Sequence, residues 1–287
     1  MGIKVLDCTL RDGAYVVESR FGMDRIRDII TCLDASGVDI VECGWLRDCV
    51  HDKDSVFYNI PEDVVPYVSS KHCERSLMFD CGRYDISKLP QNSGIIDIIR
   101  VAFYKKSLDE ISFAVERVKS KGYKVYLQPS YIMEYTDEEI SKLCHRANFL
   151  GVDSVYAVDS FGSMFPEDLD RVIPIFDEVV NPNIEIGFHS HNAIQMSLGL
   201  TIQFINSMSH RNISVDSSLC GMGRGAGNTK TELLLEYLNR HDKTYDMDFI
   251  HRCIDKSILP LYKDYNWEYT PDKGYRGIRG LHPTSEL

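Results

Sequence analysis

The feature that most constrains this chain is an alternation repeated along nearly its whole length. Short runs of β-branched and aliphatic residues are each followed by a stretch with helical periodicity. The runs occupy 3–9, 39–43, 76–80, 96–102, 124–128, 154–158, 185–191 and 213–217. Helical patterns between them cover 24–35, 108–121, 137–150, 166–179, 194–208 and 231–239. Local chemistry marks their ends: Thr136 precedes three acidic residues as an N-cap, and Pro166 sits where a first turn has no donor to lose. Gly37, Gly122 and Gly151 fall where helices must stop. Repeated strand-helix units imply parallel strands, and eight of them predict an α/β fold closed into a (β/α)8 TIM barrel. An open doubly wound sheet is the alternative. The barrel is expected over 1–245. A C-terminal extension over 246–287 follows, with one more helix ending near Pro260 and an irregular aromatic tail, YNWEYTPDKGYRGIRGLHP. That tail is suited to capping the barrel mouth or to joining a partner subunit in a homo-oligomer.

Composition narrows the function. A formal net charge of -11 repels a phosphate backbone, so nucleic-acid binding is not expected and small-molecule chemistry is. No apolar run approaches the roughly 18 residues of a membrane span. The nine cysteines are odd in number and never spaced Cys-x-x-Cys, which suits reduced thiols in the cytoplasm. The opening MGIKVLDCTL carries neither a leader pattern nor a myristoylation motif.

In a barrel of this kind the chemistry sits at the C-terminal ends of the strands. The first run is expected to end in Thr9-Leu10-Arg11-Asp12-Gly13, a carboxylate beside a guanidinium; a surface ion pair is the plainer reading. The seventh ends in GFHSHN. Residues two apart share a strand face, so His189 and His191 both project inward as a pair of imidazole ligands, and Phe188 turns toward the helices. After the eighth run, CGMGRGAGN brings Gly223 and Gly225, where backbone can approach a substrate closely, and Asn228, whose amide oxygen suits a hard cation. A tight loop alone would also explain those glycines. Glu42 in VECGW shares parity with Ile40 and therefore faces inward, where a carboxylate needs a partner such as Arg11, a metal-bound water or a substrate hydroxyl.

Taken in order, LRDG at 10–13, the Glu of VECG, DSFGSM at 159–164, HSHN at 189–192 and the glycines ending in Asn228 resemble the DRE-TIM metallolyase family over most of the chain. Around 216–232 the chain is most similar to the family's 4-hydroxy-2-oxovalerate aldolase branch. The resemblance implies a divalent ion, Mn²⁺ or Mg²⁺ ahead of Zn²⁺ or Co²⁺, held by Asp12, His189 and His191, with Asn228 as a further ligand. It implies that Arg11 stabilises an enolate and that Ser160 contacts substrate. Where the branch has a histidine base after LRDG, this chain has Ala14 and Tyr15, so Tyr15 becomes a candidate acid or base together with Glu42. Tyr269 corresponds to the place of a catalytic tyrosine. The branch's long C-terminal domain, which docks an aldehyde dehydrogenase, has no counterpart here, so such a partner is not implied. The expected reaction cleaves or forms a carbon-carbon bond of a 4-hydroxy-2-oxo acid, giving pyruvate and an aldehyde. Alternatives are an acyl-CoA Claisen-type lyase or synthase of the same family and a non-catalytic regulatory barrel.

Overall fold

A computed structural model describes residues 2–108, 111–241 and 243–281. Two residues of the expected helix 108–121 and the last residues of the tail lie outside these. Eight parallel strands close on one another: β1 (Ile3–Asp7), β2 (Ile40–Leu46), β4 (Glu74–Asp80), β5 (Ile98–Phe103), β6 (Lys124–Pro129), β7 (Ser154–Asp159), β8 (Glu185–Ser190) and β9 (Ile213–Ser217). The pairings of β1 with both β9 and β2 complete the ring. The expected TIM barrel is therefore the fold, and the open sheet is excluded. A two-residue strand, β3 (Phe57–Tyr58), pairs with the end of β2 beyond a register shift between Glu42 and Trp45. It carried no periodic signal in sequence because two residues define no period.

Each strand shows two faces. Leu6, Ile40, Ile98, Tyr126, Tyr156 and Val158 pack on one another inside the ring, while the opposite faces meet the helices in a separate, larger core. Phe188 is one of these outward residues, stacked on Phe204 with ring centroids 5.3 Å apart. Phe204 belongs to the helix over Ser197–Ser207, which begins three residues later than 194–208 predicts. Thr136 caps the helix over Asp137–Leu150 by accepting the Glu139 N–H, and Glu139 answers by accepting the Thr136 N–H, a reciprocal capping box.

Two expectations are corrected. The first strand stops at Asp7, and Thr9–Gly13 is a helical turn, not a strand end. Asp7 explains the break: its side chain accepts the Thr9 N–H at 2.9 Å, which turns the chain out of the sheet and lets the Asp12 N–H reach the Cys8 carbonyl at 2.8 Å. The tail is also less irregular than expected, because Pro271–Ile278 forms a helix. Thr270 caps it by accepting the Lys273 N–H, Pro271 occupies its first turn, and Gly277 lets it pack on Ala193 with no room for a side chain. Trp267, 1% exposed, anchors the segment before this helix by donating its indole N–H to the Cys220 carbonyl at 3.1 Å.

Candidate active site

The helical turn after β1, the end of β8 and the glycine loop after β9 meet at the C-terminal rim. Ligand atoms of Asp12, His189 and His191 all lie within 4.8 Å of one another, and all three residues are buried. Each imidazole is oriented through its Nδ1. That of His189 lies 2.9 Å from Asp216 Oδ2, and that of His191 lies 3.2 Å from the Gly227 carbonyl oxygen. Both Nε2 atoms are thereby left for a shared ligand, and His191 Nε2 is 3.9 Å from Asp12 Oδ2. Burial, the largest effect on His191, holds its pKa down at about 3 and keeps it neutral. For Asp12 burial pushes the other way, but opposing charges, the Arg11 guanidinium the largest of them, outweigh it and keep the carboxyl ionised. Two imidazoles beside a fixed carboxylate fit a divalent cation. The buried Oδ1 of Asn228 has no hydrogen-bond partner among the described residues, while its Nδ2 donates to Asp12 Oδ2 at 2.7 Å. That unpartnered oxygen beside the cluster fits a cation or a cation-bound water.

Gly223 is required by close approach. A Cβ there would stand 2.3 Å from both Asp12 Oδ2 and Asn228 Nδ2. Gly223 and Gly225 both line the cavity above the cluster, as do Arg11, Tyr15 and Ser160. Ser160 has a second task, since its hydroxyl accepts the Tyr131 N–H at 3.0 Å.

Beneath the cluster runs a charged chain that the sequence reading missed in part. Arg11 donates through Nε to Glu42 Oε2 at 2.7 Å and through Nη1 to Asp12 Oδ1 at 2.6 Å. Glu42 Oε2 also accepts from Arg100 Nη1 at 2.8 Å, and Arg100 Nη2 donates to Asp216 Oδ2 at 2.5 Å. Arg100 is fully buried at the centre of the barrel. Strand parity is the signal that could have found it: Arg100 alternates with Ile98 on the inner face, as Asp216 does with Ser214.

Two candidates are placed elsewhere. Glu42 meets Arg11 and Arg100 and is not among the residues that line the cavity. Tyr269 also lies outside the lining; it is half exposed and packs over Gly274, because the cap at Thr270 turns the chain there.

Fold and site together define a carbon-carbon lyase built on a TIM barrel. The chain belongs to the HMGL-like family, whose model matches residues 2–255, and the resemblance drawn from its motifs holds. It is similar to an oxaloacetate decarboxylase of Mycobacterium tuberculosis, 27% identical over 96% of this chain and 83% of that protein. A 4-hydroxy-2-oxovalerate aldolase of Geobacillus genomosp. 3 is 28% identical over 83% of this chain and 71% of its own. Among solved structures, the N-terminal domain of a candidate aldolase from Bacteroides vulgatus superposes with a TM-score of 0.86 at 25% identity, covering 98% of this chain and 94% of that one. The HMG-CoA lyase of Brucella melitensis shares the fold, with a TM-score of 0.69 at 16% identity over 87% of this chain and 95% of that one. Among the described residues no helix is long and apolar enough to cross a membrane.

Proposed function

We propose that this chain is a divalent-metal-dependent aldolase that breaks or forms the carbon-carbon bond of a 4-hydroxy-2-oxo acid, exchanging it with pyruvate and an aldehyde. The observation that supports this best is the convergence of Asp12, His189 and His191 beside Arg11 at the floor of one cavity. A divalent ion held there supplies Lewis-acid polarisation of the 2-oxo acid. Arg11 does the rest of the charge stabilisation. Its Nε and Nη1 are fixed by Glu42 and Asp12, which holds the guanidinium in the cavity lining, where it would stabilise the charge that the keto oxygen gathers as the bond breaks. Because that donor is already oriented, little reorganisation is needed during the reaction. Tyr15 lines the same cavity, and burial raises its phenol above the ordinary value. A phenol that keeps its proton suits donation to the aldehyde oxygen in the condensation direction.

The names of the Mycobacterium and Geobacillus relatives describe one kind of bond breaking, which leaves a pyruvate-type enolate whether carbon dioxide or an aldehyde departs. The experiment is pyruvate release from a panel of 4-hydroxy-2-oxo acids, with oxaloacetate and acyl-CoA thioesters alongside, before and after chelation and with Mn²⁺, Mg²⁺, Co²⁺ or Zn²⁺ restored. Metal-restored release from the hydroxy-oxo acids is expected. Turnover of oxaloacetate or a thioester alone would replace this reading, and chelator-resistant turnover would remove the ion from it.

A further inference from the structure

The cavity above Arg11 is about 740 Å³, far more than a three-carbon oxo acid fills. Its lining is unusual for a small-molecule site. Such pockets are mostly apolar with a few polar groups, whereas here the wall beyond the ion cluster carries Tyr104, Gln128, Ser130 and Tyr131. Gln128 is 4% exposed, lines this cavity, and its amide nitrogen has no hydrogen-bond partner among the described residues. It stands at the end of β6 on the inward face shared with Tyr126. A buried amide donor left unpaired is costly unless a ligand completes it.

Tyr131 adds to the same wall at a cost in backbone strain. Its φ of 63° and ψ of 52° are left-handed, a region that bulky residues avoid. The conformation is held by the bond from its N–H to Ser160 and by edge contact with Phe161 at 3.8 Å between centroids. At the rim, Asp80, Asp264 and Asp272 stand against Arg83, Arg224 and Lys273. These charges cancel, so the rim exerts no strong selection for an anionic or cationic distal group.

We propose that the aldehyde half of the substrate carries hydroxyl groups, and that Gln128 is the side chain that selects for them. This rests on the aldolase reading above. A neutral polyhydroxylated chain offers donors and acceptors in alternation, which matches a wall of amide, hydroxyl and phenol groups and charges of both signs. A simple alkyl aldehyde would leave Gln128 unsatisfied and the aromatic wall wet.

The test condenses pyruvate with glyceraldehyde and, separately, with propanal, which has the same carbon skeleton without the hydroxyls. The metal-loaded wild type should favour glyceraldehyde by about tenfold or more in kcat/KM. In Gln128→Leu and the isosteric Gln128→Met, that preference should collapse, with thermal melting showing that both variants fold. A wild-type ratio near one, or equal loss on both aldehydes in the variants, would overturn the assignment. Exchange of the pyruvate methyl protons in deuterated water separates the two levels. Exchange without preference defeats only the hydroxyl assignment, and no exchange defeats the aldolase reading together with it.

Discussion

Arg100 and Asp216 face each other across the inside of the barrel, with Nη2 2.5 Å from Oδ2, and that same oxygen lies 2.9 Å from Nδ1 of His189. One carboxylate oxygen thus joins a structural cation to an imidazole of the candidate metal cluster. Followed the other way, Arg100 reaches Glu42 and through it Arg11. The two functional edges of the site, imidazole and guanidinium, are oriented by opposite ends of one buried arginine.

Removing that arginine should therefore be a stability event before it is a catalytic one. Arg100→Met leaves Glu42 and Asp216, both fully buried, without their shared cation. An uncompensated buried charge costs about 3 to 5 kcal/mol. Urea unfolding of the two proteins measures this. A loss under about 1 kcal/mol would mean that the remaining partners, Arg11 for Glu42 and His189 for Asp216, compensate both carboxylates.

Asp216→Asn keeps the volume but removes the ionised acceptor from His189 Nδ1. A carboxylate behind a ligating imidazole fixes its tautomer and raises its basicity, and losing it typically weakens metal affinity by about 10 to 100-fold. Competition of the apo protein with a coloured chelator for Mn²⁺ or Zn²⁺ gives the number. Unchanged affinity would detach Asp216 from the ion and leave it a partner of Arg100 alone.

Gly223→Ala tests the close approach at the glycine loop. The added methyl meets Asp12 Oδ2 and Asn228 Nδ2 at 2.3 Å, so one of them must move. Expected is loss of stoichiometric metal by elemental analysis, with stability reduced by the roughly 1 to 3 kcal/mol typical of overpacking. A variant with full metal content would show that the loop gives way instead of the carboxylate.

Much of this geometry was legible in the sequence because it follows from two periods. Alternation of two placed His189, His191 and Glu42 on the inner face, and strand-helix repetition closed the barrel. The same rule reaches Arg100 and Asp216, but a basic residue within an apolar run, as in IIRVAF, looks like an interruption until its partners are known. Those partners lie 58 and 116 residues away in the chain, and no local pattern records such pairings. Asp12 joins the two histidines, but by a different route from the one expected. A strand was expected to carry it, whereas the hydrogen bond from the Thr9 N–H to Asp7 starts a helical turn that delivers it. Tyr269 falls outside the cavity lining, beside the short helix over Pro271–Ile278, whose packing against Ala193 is a tertiary contact that no local pattern records.

The last prediction concerns pH. Asp159 folds the DSFGSM turn by accepting the Ser163 N–H at 3.0 Å and the Met164 N–H at 3.3 Å. Burial is the dominant influence on it and, despite those donors, pushes its pKa up to about 6 from 3.8. A carboxyl raised on folding favours the folded state while both states are protonated, below the unfolded value. That contribution is lost as pH rises through the folded value, because ionising the buried group then costs more than ionising the exposed one. Asp159→Asn removes the ionisation and leaves a pH-independent change in hydrogen bonding. The difference in unfolding free energy, variant minus wild type, should therefore grow in the variant's favour by about 1 kcal/mol between pH 5 and pH 7.5. Parallel denaturation curves at several pH values isolate this slope from the constant offset. A difference flat across that range would place the ionisation of Asp159 near its unfolded value, with the backbone donors of the turn offsetting its burial.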